Sequence, residues 1–161
     1  MPGPWEPFGP TRRLDPPSAG DAPAAPAVPA APGAPAPVPE AATPAAMPRE
    51  PARRLAVITC MDARIDPLRV LGLSLGDAAV LRNAGATVSD DVLRSLHAAA
   101  TLLGVRRAVL IGHTDCAGHD SDAAAAAALA DGARRIRGAM PEGFGVDALI
   151  YDVATGTLTP V

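Results

Sequence analysis

The sequence is poor in several features that mark particular classes of protein. It has no apolar run long enough to cross a bilayer, which argues against a membrane protein. It has no continuous apolar segment of the signal-peptide kind near its start, so we expect a cytoplasmic protein. Lysine and arginine total 14 against 17 acidic residues, and they form no basic cluster. We therefore expect no nucleic acid as a partner.

Cysteine is also scarce, with only two among 161 residues. Two cysteines without an export signal favour a reducing compartment. In such a compartment paired cysteines bind a metal more often than they form a disulfide. Cys60 and Cys116 are therefore candidate metal ligands.

Large apolar residues are almost missing from residues 1–51, which hold 16 of the 19 prolines together with many alanines. Such a segment cannot bury enough apolar surface to offset the entropy lost on ordering it. We predict a disordered Pro/Ala-rich tail over residues 1–51 and one folded domain over residues 52–161. Trp5 and Phe8 either anchor this tail to a partner or have no role.

Apolar runs and helix signals alternate along the remaining residues. Buried parallel strands are predicted at residues 54–59, 78–81, 107–111 and 148–153. Helices are predicted after Asp66, after Ser89 as far as Gly104, and from Ser121 or Asp122 to about Arg137. This order predicts an α/β fold with a mainly parallel sheet flanked by helices on both faces, followed by a short last extension.

Candidate metal ligands fall at the ends of two predicted strands. Cys60 ends the first strand, and His113 follows the third, with Cys116 three residues further on. Ligands of parallel sheets bind beyond the carboxyl ends of the strands, so these residues are expected at one edge. Zinc favours thiolate and imidazole ligands, and three of them leave a fourth position for Asp62 or solvent. A bidentate pair with Arg64 would hold the Asp62 carboxylate off the metal.

Two other interpretations of these residues stay open. Two cysteines and one histidine can be ordinary core residues, because His-x-x-Cys alone is a weak motif. A purely structural zinc site is a second possibility, although such sites usually have four strong nitrogen or sulfur ligands and no further cysteine is present. An open or carboxylate-capped site fits the residues better.

Three motifs in this order resemble the β-class carbonic anhydrase family. They are Cys60–Met61–Asp62–Ala63–Arg64, then Arg82–Asn83–Ala84–Gly85, then His113–Thr114–Asp115–Cys116. The first is most similar to the small bacterial members, and residues 151–158 resemble the closing strand of the family. The resemblance covers roughly residues 53–118 and 146–159, and the combined pattern is highly specific.

The resemblance implies a zinc enzyme that hydrates carbon dioxide reversibly to bicarbonate and a proton. Cys60, His113 and Cys116 would be the zinc ligands, with Asp62 as a conditional fourth ligand. Zinc lowers the pKa of bound water from 15.7 to about 7, so hydroxide is available near neutral pH. Catalysis would involve Asp62 and Arg64, and activity would fall at acidic pH. The backbone of Ala84 and Gly85 would line the substrate pocket.

Two further functions are compatible with the same site. One is hydrolysis of carbonyl sulfide or carbon disulfide, since relatives of this fold accept such substrates. The other is a non-catalytic zinc-binding domain that serves regulation or interaction. The resemblance also implies a homodimer or a higher homo-oligomer, and a core this small gains from burying more surface between subunits.

The sequence departs from the family in three places. The expected N-terminal helix is replaced by the Pro/Ala tail, and the segment after Cys116 is shorter than in small family members. The apolar wall of the pocket is hard to locate, with Val88, Leu93 and Phe144 as candidates. Two histidines lie outside the motifs: His97 is expected at the surface, whereas His119 is either a proton relay or a solvated loop residue.

Overall fold

A computed structural model describes residues 46–161 of the chain. Trp5, Phe8 and residues 1–45 of the predicted tail lie outside the described residues. Pro51, at the predicted boundary, is buried, and the backbone N–H of Ala52 donates to the carbonyl of Gly76 at 2.9 Å. The division into a tail and a domain at this point stays a prediction.

Strands and helices alternate along the described residues, as the sequence predicts. The strands are β1 (Leu55–Cys60), β2 (Ala78–Asn83), β3 (Arg107–His113), β4 (Gly145–Tyr151) and β5 (Leu158–Pro160). The helices are α1 (Pro67–Val70), α2 (Asp90–Leu102) and α3 (Asp122–Ala139), and a 3₁₀ turn covers Ala84–Ala86. Among these helices none has the length and apolar character needed to span a membrane.

The strands form one sheet in the order β2-β1-β3-β4-β5. The first four are mutually parallel, and β5 pairs with β4 in the antiparallel direction. The predicted α/β fold with a mainly parallel sheet is confirmed. Because β1 and β3 are neighbours in the same direction, their last residues, Cys60 and His113, lie at the same edge of the sheet.

Alternation of side chains along the central strands divides the core between the two faces. On one face Ile58 and Leu110 pack with residues of α2 and α3, including Leu96 and Ile136. On the other face the apolar residues of β1 and β3 pack with the short helix α1; they are Val57, Val109 and Ile111. Helices therefore cover both faces, and the two long ones lie on the same side.

Helix α2 begins where the sequence signals place it. The Ser89 hydroxyl accepts a hydrogen bond from the backbone N–H of Val92 at 3.3 Å, and Asp90 and Asp91 occupy the first turn. Its buried residues, Val92, Leu96 and Ala99, recur at helical spacing and face the sheet.

Strand β4 begins three residues earlier and ends two residues earlier than the predicted strand at residues 148–153. The strand begins at Gly145, whose N–H donates to the Arg106 carbonyl at 3.0 Å and continues the pairing with β3. It ends at Tyr151 because the Asp152 carboxylate accepts hydrogen bonds from the N–H groups of Ala154 and Thr155, which form a turn. These bonds hold the pKa of Asp152 below its ordinary value.

Candidate metal centre

Three buried side chains converge where β1 and β3 end. Cys60 is the last residue of β1, His113 is the last residue of β3, and Cys116 lies three residues further along the chain. Their ligand atoms all lie within 4.8 Å of one another. The two sulfur atoms are 3.9 Å apart. Two thiols and one imidazole at this spacing form a group that can bind a metal ion.

The orientation of His113 is fixed by its hydrogen bonding. Its Nδ1 lies 2.9 Å from the Thr114 carbonyl oxygen, which can only accept, so Nδ1 carries the hydrogen. Nε2 then has a free lone pair, is buried, and has no hydrogen-bond partner among the described residues. A buried nitrogen without a partner is costly in a folded protein, and a metal ion between it and the two sulfur atoms would satisfy it. The residues therefore fit a bound metal.

The loop after β3 brings Cys116 back toward the end of β1. Asp115 has a φ of 54°, a left-handed conformation that aspartate tolerates better than most residues. Its N–H donates to the side chain of Asp122 at 2.8 Å, which ties the loop to the start of α3. The N–H of His119 donates to the Cys116 carbonyl at 3.1 Å and closes the turn.

Electrostatics at Cys116 also favour a bound cation. Burial raises the pKa of the Cys116 thiol, and the neighbouring Cys60 and Asp62 add to the rise. A thiolate forms here only when positive charge offsets that cost, and a coordinated metal ion supplies it.

Asp62 and Arg64 form a bidentate ion pair beside this group. Arg64 Nε donates to Asp62 Oδ1 at 3.0 Å, and Nη2 donates to Oδ2 at 2.8 Å. Arg64 also holds the loop after β3, because Nη1 donates to the Asp115 carboxylate at 2.8 Å and Nη2 to its carbonyl at 2.9 Å. These hydrogen bonds hold the pKa of Asp62 well below its usual range and raise the pKa of Arg64. Asp62 Oδ2 lies 3.9 Å from His113 Nε2.

Arg82 is a residue near this centre that sequence reasoning missed. Its Nε donates to the carbonyl of Cys60 at 3.0 Å, and its Nη2 donates to the carbonyl of Asp62 at 2.7 Å. The side chain therefore holds the backbone on both sides of Met61. In the sequence Arg82 was named only as the first residue of the Arg82–Asn83–Ala84–Gly85 motif and was given no role, because bonds to carbonyls about twenty residues away leave no local pattern.

The turn after β2 lies against the loop that carries Cys116. Gly85 has a φ of 67°, in the left-handed region, and a Cβ built there would lie 2.8 Å from His119 Nε2. A Cβ on Gly118 would lie 3.2 Å from the Gly85 Cα and 3.6 Å from the Cys116 sulfur. The backbone of Ala84–Ala86, in which the sequence placed two pocket residues, is therefore close to the candidate ligands.

A cleft of about 890 Å³ opens beside the centre. Its walls include Asp62, Arg64, Cys116 and His119, together with residues of the loops after β3 and β4. The three apolar residues that the sequence suggested for a pocket wall are placed elsewhere: Val88 is buried in the core, and Leu93 and Phe144 pack against that core. Of the two remaining histidines, His97 is exposed on α2 and His119 is half-buried.

A mainly parallel sheet flanked by helices, with a Cys-His-Cys group at its carboxyl edge that can bind a metal ion, defines an α/β protein with a candidate metal centre. The family model described as "Carbonic anhydrase" matches residues 55–140, more than half of the chain. The chain belongs to the β-carbonic anhydrase family, which confirms the resemblance of its motifs.

Individual proteins show the same relationship. The chain is 50% identical over 70 residues to beta-carbonic anhydrase 1 of Mycobacterium tuberculosis, a match that covers 44% of this chain and 43% of that protein. It is 42% identical over 64 residues to a carbon disulfide hydrolase of Acidianus, covering 40% of this chain and 31% of that one. The chain thus matches less than half the length of these curated relatives.

Solved structures extend the likeness over more of the fold. A crystal structure of carbonic anhydrase from Streptococcus mutans superposes with a TM-score of 0.65 at 33% identity. It covers 71% of this chain and 85% of that one. The fold is therefore that of carbonic anhydrases well beyond the motifs themselves.

Proposed function

We propose that this protein is a zinc-dependent carbonic anhydrase that catalyses the reversible hydration of carbon dioxide to bicarbonate and a proton. The observation that carries the proposal is His113 Nε2, which has no hydrogen-bond partner within residues 46–161 and is buried within 4.8 Å of two thiols, beside the Asp62–Arg64 pair. Membership of the family supports it.

In this proposal Cys60, His113 and Cys116 hold the metal. Zinc suits the site because thiolate and imidazole are its preferred ligands, and three protein ligands leave one position free. When bound, zinc acts as a Lewis acid and lowers the pKa of water to about 7. The hydrogen bond from His113 Nδ1 to Thr114 keeps Nε2 directed at the metal position.

Asp62 has two tasks, and Arg64 sets both. Because the pair holds its pKa low, the Asp62 carboxylate stays ionised and can only accept hydrogen bonds at neutral pH. Its Oδ2 can therefore accept a hydrogen bond from the attacking water and orient the water oxygen toward carbon dioxide. The same pair keeps Asp62 from becoming a fourth ligand, which would close the site. Ala84 and Gly85 line the place where carbon dioxide binds.

Hydrolysis of carbon disulfide or carbonyl sulfide is a second candidate for the same site. It is favoured by the similarity to proteins described as carbon disulfide hydrolases. A product assay separates the two reactions, because one releases sulfide and the other only bicarbonate and a proton. A non-catalytic zinc domain is less well supported, since a structural zinc does not need the Asp62–Arg64 pair beside it.

A homodimer or a higher homo-oligomer in the cytoplasm completes the proposal. Met61, directly after Cys60, is 67% exposed, and Val80 on the edge strand β2 is 38% exposed. A second subunit packed over β2 and the end of β1 would cover both apolar side chains. A carbonic anhydrase structure from Sordaria macrospora, which shares this fold, is described as tetrameric.

Stopped-flow measurement of carbon dioxide hydration on the zinc-loaded chain tests the proposed function. We expect a rate well above that of buffer, lost after chelation and in His113→Ala, and falling as the pH drops below about 7. His97→Ala, on the exposed face of α2, is the matched control and should keep the wild-type rate. Zinc bound at one per chain without hydration would contradict the proposal, and sulfide release from carbon disulfide would then establish the second candidate.

A further inference from the structure

His119 makes a contact across the site that the proposed chemistry does not use. It lies in the loop after β3, three residues beyond Cys116, and is half-buried in the wall of the cleft. Its Nε2 lies 3.1 Å from the carbonyl oxygen of Gly85. A carbonyl oxygen can only accept, so Nε2 carries the hydrogen and donates it. The side chain therefore connects two segments that are 34 positions apart.

One of the two connected segments carries the candidate metal ligand Cys116, and the other carries Ala84 and Gly85, which line the substrate site in the proposed function. His119 is tied back to Cys116 by its own N–H, which donates to the Cys116 carbonyl at 3.1 Å. Gly85 is the middle residue of the turn Ala84–Ala86. That turn has two left-handed residues in succession, Gly85 at 67° and Ala86 at 54°. A left-handed alanine is unfavourable and persists only where its surroundings hold it.

The two segments approach so closely that a side chain on Gly85 or Gly118 would crowd the opposite segment. A Cβ on Gly85 would lie 2.8 Å from His119 Nε2, and a Cβ on Gly118 would lie 3.2 Å from the Gly85 backbone nitrogen. The turn is held from its other side by Asn83, whose side chain donates to the Thr87 carbonyl at 2.7 Å and accepts from the Thr87 N–H at 2.9 Å.

We propose that His119 is a positioning residue, whose hydrogen bond to Gly85 holds the Ala84–Gly85 backbone at a fixed distance from the Cys116 loop. It acts through that backbone and does not itself touch the reacting atoms. The kinetic consequence rests on the proposed function, because it requires that this turn binds carbon dioxide. A wall that serves the bound substrate and the transition state equally affects KM and leaves kcat unchanged.

Two substitutions of His119 separate the hydrogen bond from the bulk of the ring. His119→Phe keeps a planar ring but has no donor, whereas His119→Gln retains an N–H donor of similar reach. In the full-length, zinc-loaded chain we expect His119→Phe to raise KM for carbon dioxide about three- to tenfold, the factor that one net hydrogen bond contributes. The kcat should stay within about twofold, zinc should stay at one per chain, and His119→Gln should restore most of the loss. His97→Phe is the control for replacing an exposed histidine.

Hydrogen exchange supplies a readout that does not need turnover. The amide of Thr87 reports on the turn, and its exchange should be faster in His119→Phe than in the wild type and be slowed again in His119→Gln. An unchanged KM together with unchanged Thr87 exchange in His119→Phe would overturn the proposal, as would a glutamine variant as impaired as the phenylalanine variant. A wild-type chain without hydration would contradict the proposed function only, since the exchange rates would still decide the role of His119.

Discussion

Removing the Arg64 side chain should separate metal binding from catalysis. Arg64 donates two hydrogen bonds to the Asp62 carboxylate, at 3.0 and 2.8 Å, and two more to Asp115, at 2.8 and 2.9 Å. Of the hydrogen bonds that the described residues make to this carboxylate, Arg64→Ala leaves the one from the backbone N–H of residue 64, at 2.9 Å. Asp62 Oδ2 already lies 3.9 Å from His113 Nε2, the nitrogen that would bind the metal, so the released carboxylate starts close to it.

The expected result is lower activity without loss of metal. Loss of a residue that orients a group at a metal site typically lowers activity about 10- to 100-fold, and we expect a decrease in this range for kcat/KM. Zinc affinity should be unchanged or higher, because the released carboxylate offers a fourth ligand. The kcat/KM of Arg64→Lys should fall between those of the wild type and Arg64→Ala, since an ammonium group supplies charge but cannot form the bidentate pair.

Two measurements on the same samples test this reasoning. Stopped-flow hydration gives kcat/KM, and competition with a chromogenic chelator gives the zinc dissociation constant. Arg94→Ala is the control, because Arg94 forms an exposed ion pair with Asp91 on α2. Hydration within about twofold of the wild type would refute a role for the pair. Lower activity that matches a loss of zinc would show that Arg64 supports the metal and not the carboxylate.

Three further predictions concern stability. Leu96 is fully buried and Leu102 is 74% exposed on the same helix. In urea titrations Leu96→Ala should lower the free energy of unfolding by about 2–5 kcal/mol, and Leu102→Ala by at most about 0.5 kcal/mol. Equal losses in the two variants would contradict the described packing of α2. Because the pKa of Asp152 is lowered in the folded state, its contribution is complete above about pH 4 and is lost as the pH falls further, so Asp152→Asn should flatten part of the acid-induced loss in urea titrations. A steeper loss of stability in acid in Asp152→Asn would contradict a stabilising contribution of the ionised Asp152 carboxylate. Removing zinc with a chelator should lower Tm in calorimetry, by the equivalent of about 4 kcal/mol when free zinc had been a thousandfold above Kd, and an unchanged Tm would exclude the metal centre as part of the fold.

The sequence predicted the fold because the core strands are marked by composition. Residues 55–60 and 107–113 are almost entirely buried, and such apolar runs identify central parallel strands. Placing Cys60 and His113 at one edge followed from strand direction alone. The start of β4 was missed because Gly145 and Val146 join the sheet through backbone pairing with β3, which side-chain patterns do not show.

The surroundings of the metal centre were harder to predict. Arg82 and Asp115 bind the site through hydrogen bonds to distant groups, and such bonds depend on register and loop geometry. Parallel pairing of Cys60 with Asn83 is what carries Arg82 to the end of β1. The half-buried position of His119 depends on Gly85 and Gly118, because they let the two loops approach each other closely. His119 is therefore not a fully solvated loop residue.

X-ray absorption at the zinc edge, on the full chain loaded with one zinc, tests the central claim most directly. That claim is that Cys60, His113 and Cys116 hold the metal. We predict two sulfur ligands, one imidazole and one light atom in the fourth position, with one sulfur lost in Cys116→Ala. A spectrum with fewer than two sulfur ligands, or without imidazole, would contradict it.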